Sequence, residues 1–279
     1  MAFGGWSDAA EAATAAVTLL SDQWTCQPFA YVEPDEFYDF TQVRPRVHLT
    51  SDMIRAIEWP TSVFRYRRRP RFDHDVITFR AFEPQLRWKQ YVQGVMDFLE
   101  RVHAGRLVTL GALLAAVPHT RPVPMTGFAT DSGLQDKLRE MGISLSSYEG
   151  PTGIIGVLHD AARERGLPSM SLWGAAPHYI ANASNPKVSL ALLERISAAF
   201  GWSLDLSAFA REVREFENEV EAIIQANPEA SAYVARLEEA ADQEQQDEAA
   251  TPLPSNEVLL QDLEDFLKRR GNRPDESGR

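Results

Sequence analysis

The stretch Glu149 to Tyr179, EGPTGIIGVLHDAARERGLPSMSLWGAAPHY, decides the fold and reads as loop, helix, strand, loop. Thr152 stands just before apolar residues at Ile154, Ile155, Leu158, Ala161 and Ala162, and Gly166 follows Arg163 and Arg165. That spacing predicts a helix from about Gly153 to Arg165, capped by Thr152 and stopped by the glycine. Ser169 to Trp173 is too short and too apolar for a helix and predicts a buried strand, which Gly174-Ala175-Ala176-Pro177 is expected to break before His178 and Tyr179. Helix followed by buried strand is half of a βαβ unit. In open α/β sheets the ligand crevice lies beyond the carboxyl ends of the strands, so His178 and Tyr179 are expected there.

Working outward toward the N-terminus, Asp8 and Glu11 have capping-box spacing ahead of an alanine-rich helix that runs to about Leu20. Only Met1-Ala2-Phe3 precede the Gly4-Gly5 turn, so either the chain starts late or the strand a βαβ fold places before such a turn is missing. Strands are predicted at 28–32, 46–49, 62–66 and 75–79, the last of them central. Trp88, Tyr91, Val92, Val95, Met96, Leu99 and Val102 mark one face of a helix that Gly105 ends. Leu107 to Leu114 is a run of buried-strand type, the proline-spaced segment 117–124 excludes helix, 131–141 is a short helix and 143–145 an edge strand. The alternation specifies an α/β fold with a largely parallel or mixed sheet flanked by helices.

After Tyr179 the character changes. A helix over 188–200 stops at Gly201, and a longer one begins at Ser207 with Phe209, Val213, Phe216, Val220 and Ile223 as a seam. The chain therefore divides into an α/β core over 1–205, a helical hairpin over 206–240, a flexible linker over 241–254, and a C-terminal amphipathic helix and tail over 255–279. From Arg211 to the end there are 8 Lys+Arg against 18 Asp+Glu, which leaves −2 of the net charge of −12 for the first 210 residues. Such an acidic appendage argues against nucleic acid and anionic membrane as partners. The opposite excess, Arg65-Tyr66-Arg67-Arg68-Arg69-Pro70-Arg71, reads as a solvated strand end or as a contact for an acidic or phosphate group.

At 279 residues and 44% hydrophobic content the chain can build a sizeable core. With no apolar run of membrane length and no signal-like start, it is expected to be cytoplasmic. The one cysteine, Cys26, excludes an intramolecular disulfide and reads as a buried hydrophobe. Neither a phosphate-binding glycine loop ending in Lys-Ser/Thr, nor G-x-G-x-x-G, H-E-x-x-H or G-x-S-x-G is present, the six histidines lack ligand spacing, and no metal or cofactor is expected. The strand ends gather Asp39, Glu83, Arg87, His119, Arg121, Glu149, Thr152 and His178 as candidate ligand-binding residues. Glu83 or Glu149 is suited to act as a base, Arg87 or Arg121 to hold an anionic group, and either histidine to transfer protons. The same residues have structural readings: His119 bonding turn backbone, Glu83 pairing with Arg87 at a helix start.

A set of separated motifs carries a resemblance: GWSDAA at 5–10, EFYDF at 36–40, Arg44-Pro45, Glu58-Trp59-Pro60, EPQLRW at 83–88, PHTRP at 118–122, EGPTG at 149–153 and SLWGAAPHY at 171–179. In order and along essentially the whole chain, these resemble the actinobacterial branch of the proteasome assembly chaperone family, the branch named after the second eukaryotic assembly chaperone. The resemblance implies a fold like that of purine nucleoside phosphorylases, homo-oligomers with a trimer as the working expectation, and proteasome subunits as partners. It brings no catalytic residues. In departure from the family, Glu276 to Arg279 lacks a hydrophobic-tyrosine tail. Two readings result: a non-enzymatic, oligomeric interaction protein, or a small-molecule binder or enzyme for a nucleoside, phosphate or carboxylate ligand in the loop crevice.

Overall fold

The computed structural model describes residues 1–68, 74–181 and 183–250, with the side chains of 247–250 left out. Among the described residues, ten strands and seven α-helices follow one another as β1 (Ala2–Gly4), α1 (Ala12–Gln23), β2 (Gln27–Val32), β3 (Arg46–Leu49), β4 (Arg55–Glu58), β5 (Ser62–Arg67), β6 (Val76–Phe82), α2 (Trp88–Arg101), β7 (Leu107–Ala115), β8 (Met125–Ala129), α3 (Ser132–Glu140), β9 (Ser144–Leu145), α4 (Ile154–Glu164), β10 (Ser169–Pro177), α5 (Pro186–Phe200), α6 (Ser207–Gln225) and α7 (Pro228–Ala250). The helix expected at the C-terminal end lies outside the described residues.

Two four-stranded sheets, ordered β1-β6-β5-β2 and β7-β10-β8-β9, carry the core. They meet at β1, which pairs with β6 on one edge and on the other bonds β7, where Leu110 N–H donates to Met1 O at 2.8 Å. The strand expected to be missing is therefore Ala2–Gly4 itself. Three residues suffice because β1 is walled on both edges, and Ala2 and Phe3 are fully buried. The sheets are mixed rather than largely parallel: β1 with β6, β7 with β10 and β8 with β9 run parallel, whereas β2 with β5, β5 with β6 and β10 with β8 run antiparallel. β5 and β6 pair as chain neighbours, but β2 with β5 and β8 with β10 pair across intervening elements, which alternation of helix and strand does not announce.

One apolar cluster, built on α1, α3 and α5, lies on one face of the sheets; α2 and α4 build the second on the other. Gly174 to Pro177 does not break β10, which continues to Pro177 in unbroken register with β7. The glycine serves packing: a Cβ on Gly174 would lie 2.6 Å from Val188 Cγ1 of α5, so its absence lets the helix close on the strand. β4 and β8 carry weak periodicity of their own and are held by neighbours, β4 by β3 and β8 by β10 and β9. α7 continues through the stretch read as the start of a linker, as far as Ala250; its alanine and glutamate content favours helix.

Candidate functional site

The parallel strands β1, β6, β7 and β10 place their carboxyl ends at one edge of the molecule, and the loops 5–8, 83–87, 116–124 and 178–181 emerge there. The eight residues expected to converge there fall into two clusters and three separate positions.

Glu83, at the end of β6, forms the first cluster with the start of α4. Its Oε1 accepts the Ile154 N–H at 2.8 Å, so the N-terminus of α4 is capped by a carboxylate from 71 residues earlier, with favourable charge against the helix dipole. Thr152, the expected cap, instead turns its hydroxyl to Gly153 O at 3.4 Å, and Gly153 is the N-cap residue. Gly153 is forced by space, since a Cβ there would lie 2.8 Å from both Glu83 Oε1 and the Trp6 ring. Ser7 Oγ is buried against this cluster with no hydrogen-bond partner among the described residues. Capping of α1 follows similar logic. Asp8 takes the N–H groups of Ala13 and Thr14 at 2.7 and 3.2 Å rather than forming a box with Glu11.

His119, Arg121 and His178 form the second cluster, and each is engaged by α6 or α7. Tyr179 Oη accepts the His119 backbone N–H at 2.8 Å, which leaves its own proton for His119 Nδ1, also at 2.8 Å. The ring then carries its hydrogen on Nε2 and donates to Glu221 of α6 at 3.2 Å. Arg121 grips Asp242 of α7 with two bonds, Nε to Oδ1 at 2.7 Å and Nη2 to Oδ2 at 2.8 Å, and Glu238 lies 3.4 Å from Nη1. That fork-to-carboxylate contact holds the Asp242 carboxyl below its usual range and pushes the guanidinium further up. His178 donates from Nδ1 to Ala115 O at 3.0 Å, and its Nε2 accepts from Tyr233 Oη of α7 at 3.2 Å. Lys187 completes the socket, bonding His119 O and pairing with Glu217 at 2.7 Å. Burial pushes the Tyr179 phenol upward, so it stays a protonated donor.

The remaining candidates stand apart. Asp39 closes its own turn on Thr41 and Gln42, and the Thr41 hydroxyl and N–H with the Gln42 amide hold its carboxyl below the usual range. Arg87 pairs with Glu36 at 2.6 Å, not with Glu83. Glu149 is exposed in the loop before α4. Reading the sequence missed Lys187, Glu217, Glu221, Tyr233, Glu238 and Asp242, because each acts on a partner in a different element far along the chain and no local spacing marks it. Among the described residues no group of three or more His, Cys, Asp or Glu gathers to hold a metal ion, and no helix is long and apolar enough to cross a membrane.

The model of the PAC2 family matches residues 2–224. The chain belongs to the PAC2 family. A PAC2 family protein from Streptomyces avermitilis is 36% identical, with 84% of this chain and 97% of that one covered and a TM-score of 0.75. A proteasome-assembly chaperone homologue from Mycobacterium tuberculosis is 33% identical over 84% of this chain and 98% of its own, TM-score 0.74. An archaeal proteasome activator from Pyrococcus furiosus shares the fold at 16% identity and a TM-score of 0.63, over 77% of this chain and 89% of that one. No match was found among curated proteins. The PAC2 match ends inside α6, so α7, which supplies Tyr233, Glu238 and Asp242 to the socket, lies beyond the matched residues.

Proposed function

We propose that this PAC2 chain is a non-enzymatic binding protein that acts on proteasome subunits in the cytoplasm, as a homo-oligomer, on an α/β scaffold of the purine nucleoside phosphorylase type. The observation that carries the reading is the 33% identity with a proteasome-assembly chaperone homologue over 98% of that protein's length. Two features support it. The side chains best suited to chemistry, His119, Arg121 and His178, are committed to holding α6 and α7 in place. The outer faces of those helices then present Glu212, Glu215, Glu219, Glu229 and Glu239 to solvent as a fixed acidic surface.

The experiment is reconstitution of the host's proteasome from separate α and β subunits with and without the purified protein, read by native gel and native mass spectrometry. A complex with an α-subunit intermediate and a changed rate of particle formation is the expected result. Unchanged assembly with no co-migrating subunit overturns the proposal, and a retained small-molecule mass in the same spectra points to the ligand-binding reading.

A further inference from the structure

The sheet face beneath α1 carries charge where a helix-covered sheet ordinarily carries aliphatic side chains. In the β5–β6 pair Val63 stands opposite Arg80 and Arg65 opposite Thr78, so Arg65 and Arg80 are diagonal neighbours on one face. Diagonal positions lie about 7–8 Å apart, within reach of mutual repulsion for like charges. Arg44 and Arg46, from the chain entering the β3–β4 hairpin, line the same space. Together with Trp59, Pro60 and the polar side of α1 they bound a cavity of about 220 Å³.

None of these four guanidinium groups makes an ion pair or hydrogen bond among the described residues. Asp22 and Glu58 also line the cavity without reaching them, and an excess of two positive charges remains. Arg87, Arg121, Arg139, Arg163 and Arg165 each find a carboxylate within 3.0 Å, and exposed arginines such as Arg55, Arg101, Arg211 and Arg214 stand unpaired one at a time among the described residues, whereas these four share one concavity. In a chain of net charge −12, carboxylates are plentiful. Four arginines gathered in one concavity and left unpaired are therefore arranged for an anion that the chain does not supply. Planar guanidinium forks favour an oxyanion able to accept several bonds at once, which phosphate does better than a single carboxylate. At the mouth, Trp59 packs edge-on against Phe40, ring centroids 4.9 Å apart, and stays 47% exposed, leaving ring surface free for a flat ligand group.

We propose that this cavity binds a phosphorylated small molecule, its phosphate held by Arg44, Arg46, Arg65 and Arg80 and its organic part laid against Trp59. The site is separate from the α6–α7 socket and independent of the proteasome reading, so either stands or falls alone. The test is calorimetry and thermal shift on the full chain with pyrophosphate, adenosine monophosphate and, as the carboxylate comparator, citrate. Both phosphates are expected to bind and raise the melting temperature, with citrate weaker. R65Q/R80Q is expected to lose about tenfold or more in affinity for both, and the exposed pair R44Q/R46Q, which lies outside the sheet of β5 and β6, to lose a similar factor. Trp59→Ala should weaken the nucleotide and leave pyrophosphate unchanged, and R139Q/R163Q should bind as wild type. No binding by either phosphate, wild-type affinity in both arginine variants, or equal binding of citrate overturns the proposal. So does a change of subunit number in R65Q/R80Q with no anion effect, since the arginines would then belong to a contact between copies.

Discussion

At the scale of single residues, the most informative side chain is one buried away from the site. His159, on α4, is enclosed beneath β7 and β10, with Nε2 2.7 Å from Thr109 Oγ1 and Nδ1 2.8 Å from Ser169 Oγ. Burial, reinforced by the nearby Met1 amino group, lowers its pKa from 6.5 to about 3. The unfolded chain takes up a proton below pH 6.5 that the folded chain refuses, so stability is full above that pH and falls as pH drops toward 3, by up to about 1.4 kcal/mol per unit. Urea midpoints at about pH 7 and about pH 5 should differ in the wild type and differ less in His159→Gln; an equal difference in both would remove His159 as the cause. Tyr179→Phe deletes the hydroxyl between two nitrogens of His119 and should cost about 1–3 kcal/mol, with an unchanged denaturation midpoint counting against the bonding scheme. Gly174→Ala pushes a methyl into Val188 and should cost a similar amount, read as a drop in melting temperature.

At the scale of elements, α6 and α7 are held by polar contacts more than by apolar burial. Of the five seam positions expected on α6, Val213 and Val220 are buried, whereas Ile223 points to solvent at 71% exposure. α6 instead rests on α5, and α7 on α6 and the 116–124 loop. Arg121→Ala removes both bonds to Asp242 and should release α7 without unfolding the core. Hydrogen exchange should show lost protection in 228–246 with β7 and β10 unchanged, and a double-mutant cycle with Asp242→Ala should show coupling; global loss of protection, or none, would contradict this attachment.

For the molecule as a whole, the β3–β4 hairpin is the conspicuous surface. Val47, Leu49, Met53, Ile54 and Ile57 are all more than half exposed, an apolar concentration that a monomer in water rarely tolerates. If the proposed oligomer uses this hairpin, Ile57→Asp should lower the mass measured by light scattering while leaving circular dichroism intact; an unchanged mass would place the contact elsewhere.

What the sequence determined by itself was everything written in short-range pattern. The helices at 88–101, 154–164 and 186–200 declare themselves through apolar spacing with glycine or asparagine at their ends, and separated motifs such as PHTRP and SLWGAAPHY were enough to indicate the family. Tertiary structure alone decided the rest. Strand direction depends on which neighbour a strand meets, so the mixed sheets and the two-sided role of Ala2–Gly4 were settled by assembly. The candidate residues divided for the same reason: Glu83 met the start of α4, and Arg121 met α7, across 71 and 121 residues of chain. A side chain's type sets what it can bond, but only the packed chain sets which partner comes within about 3 Å.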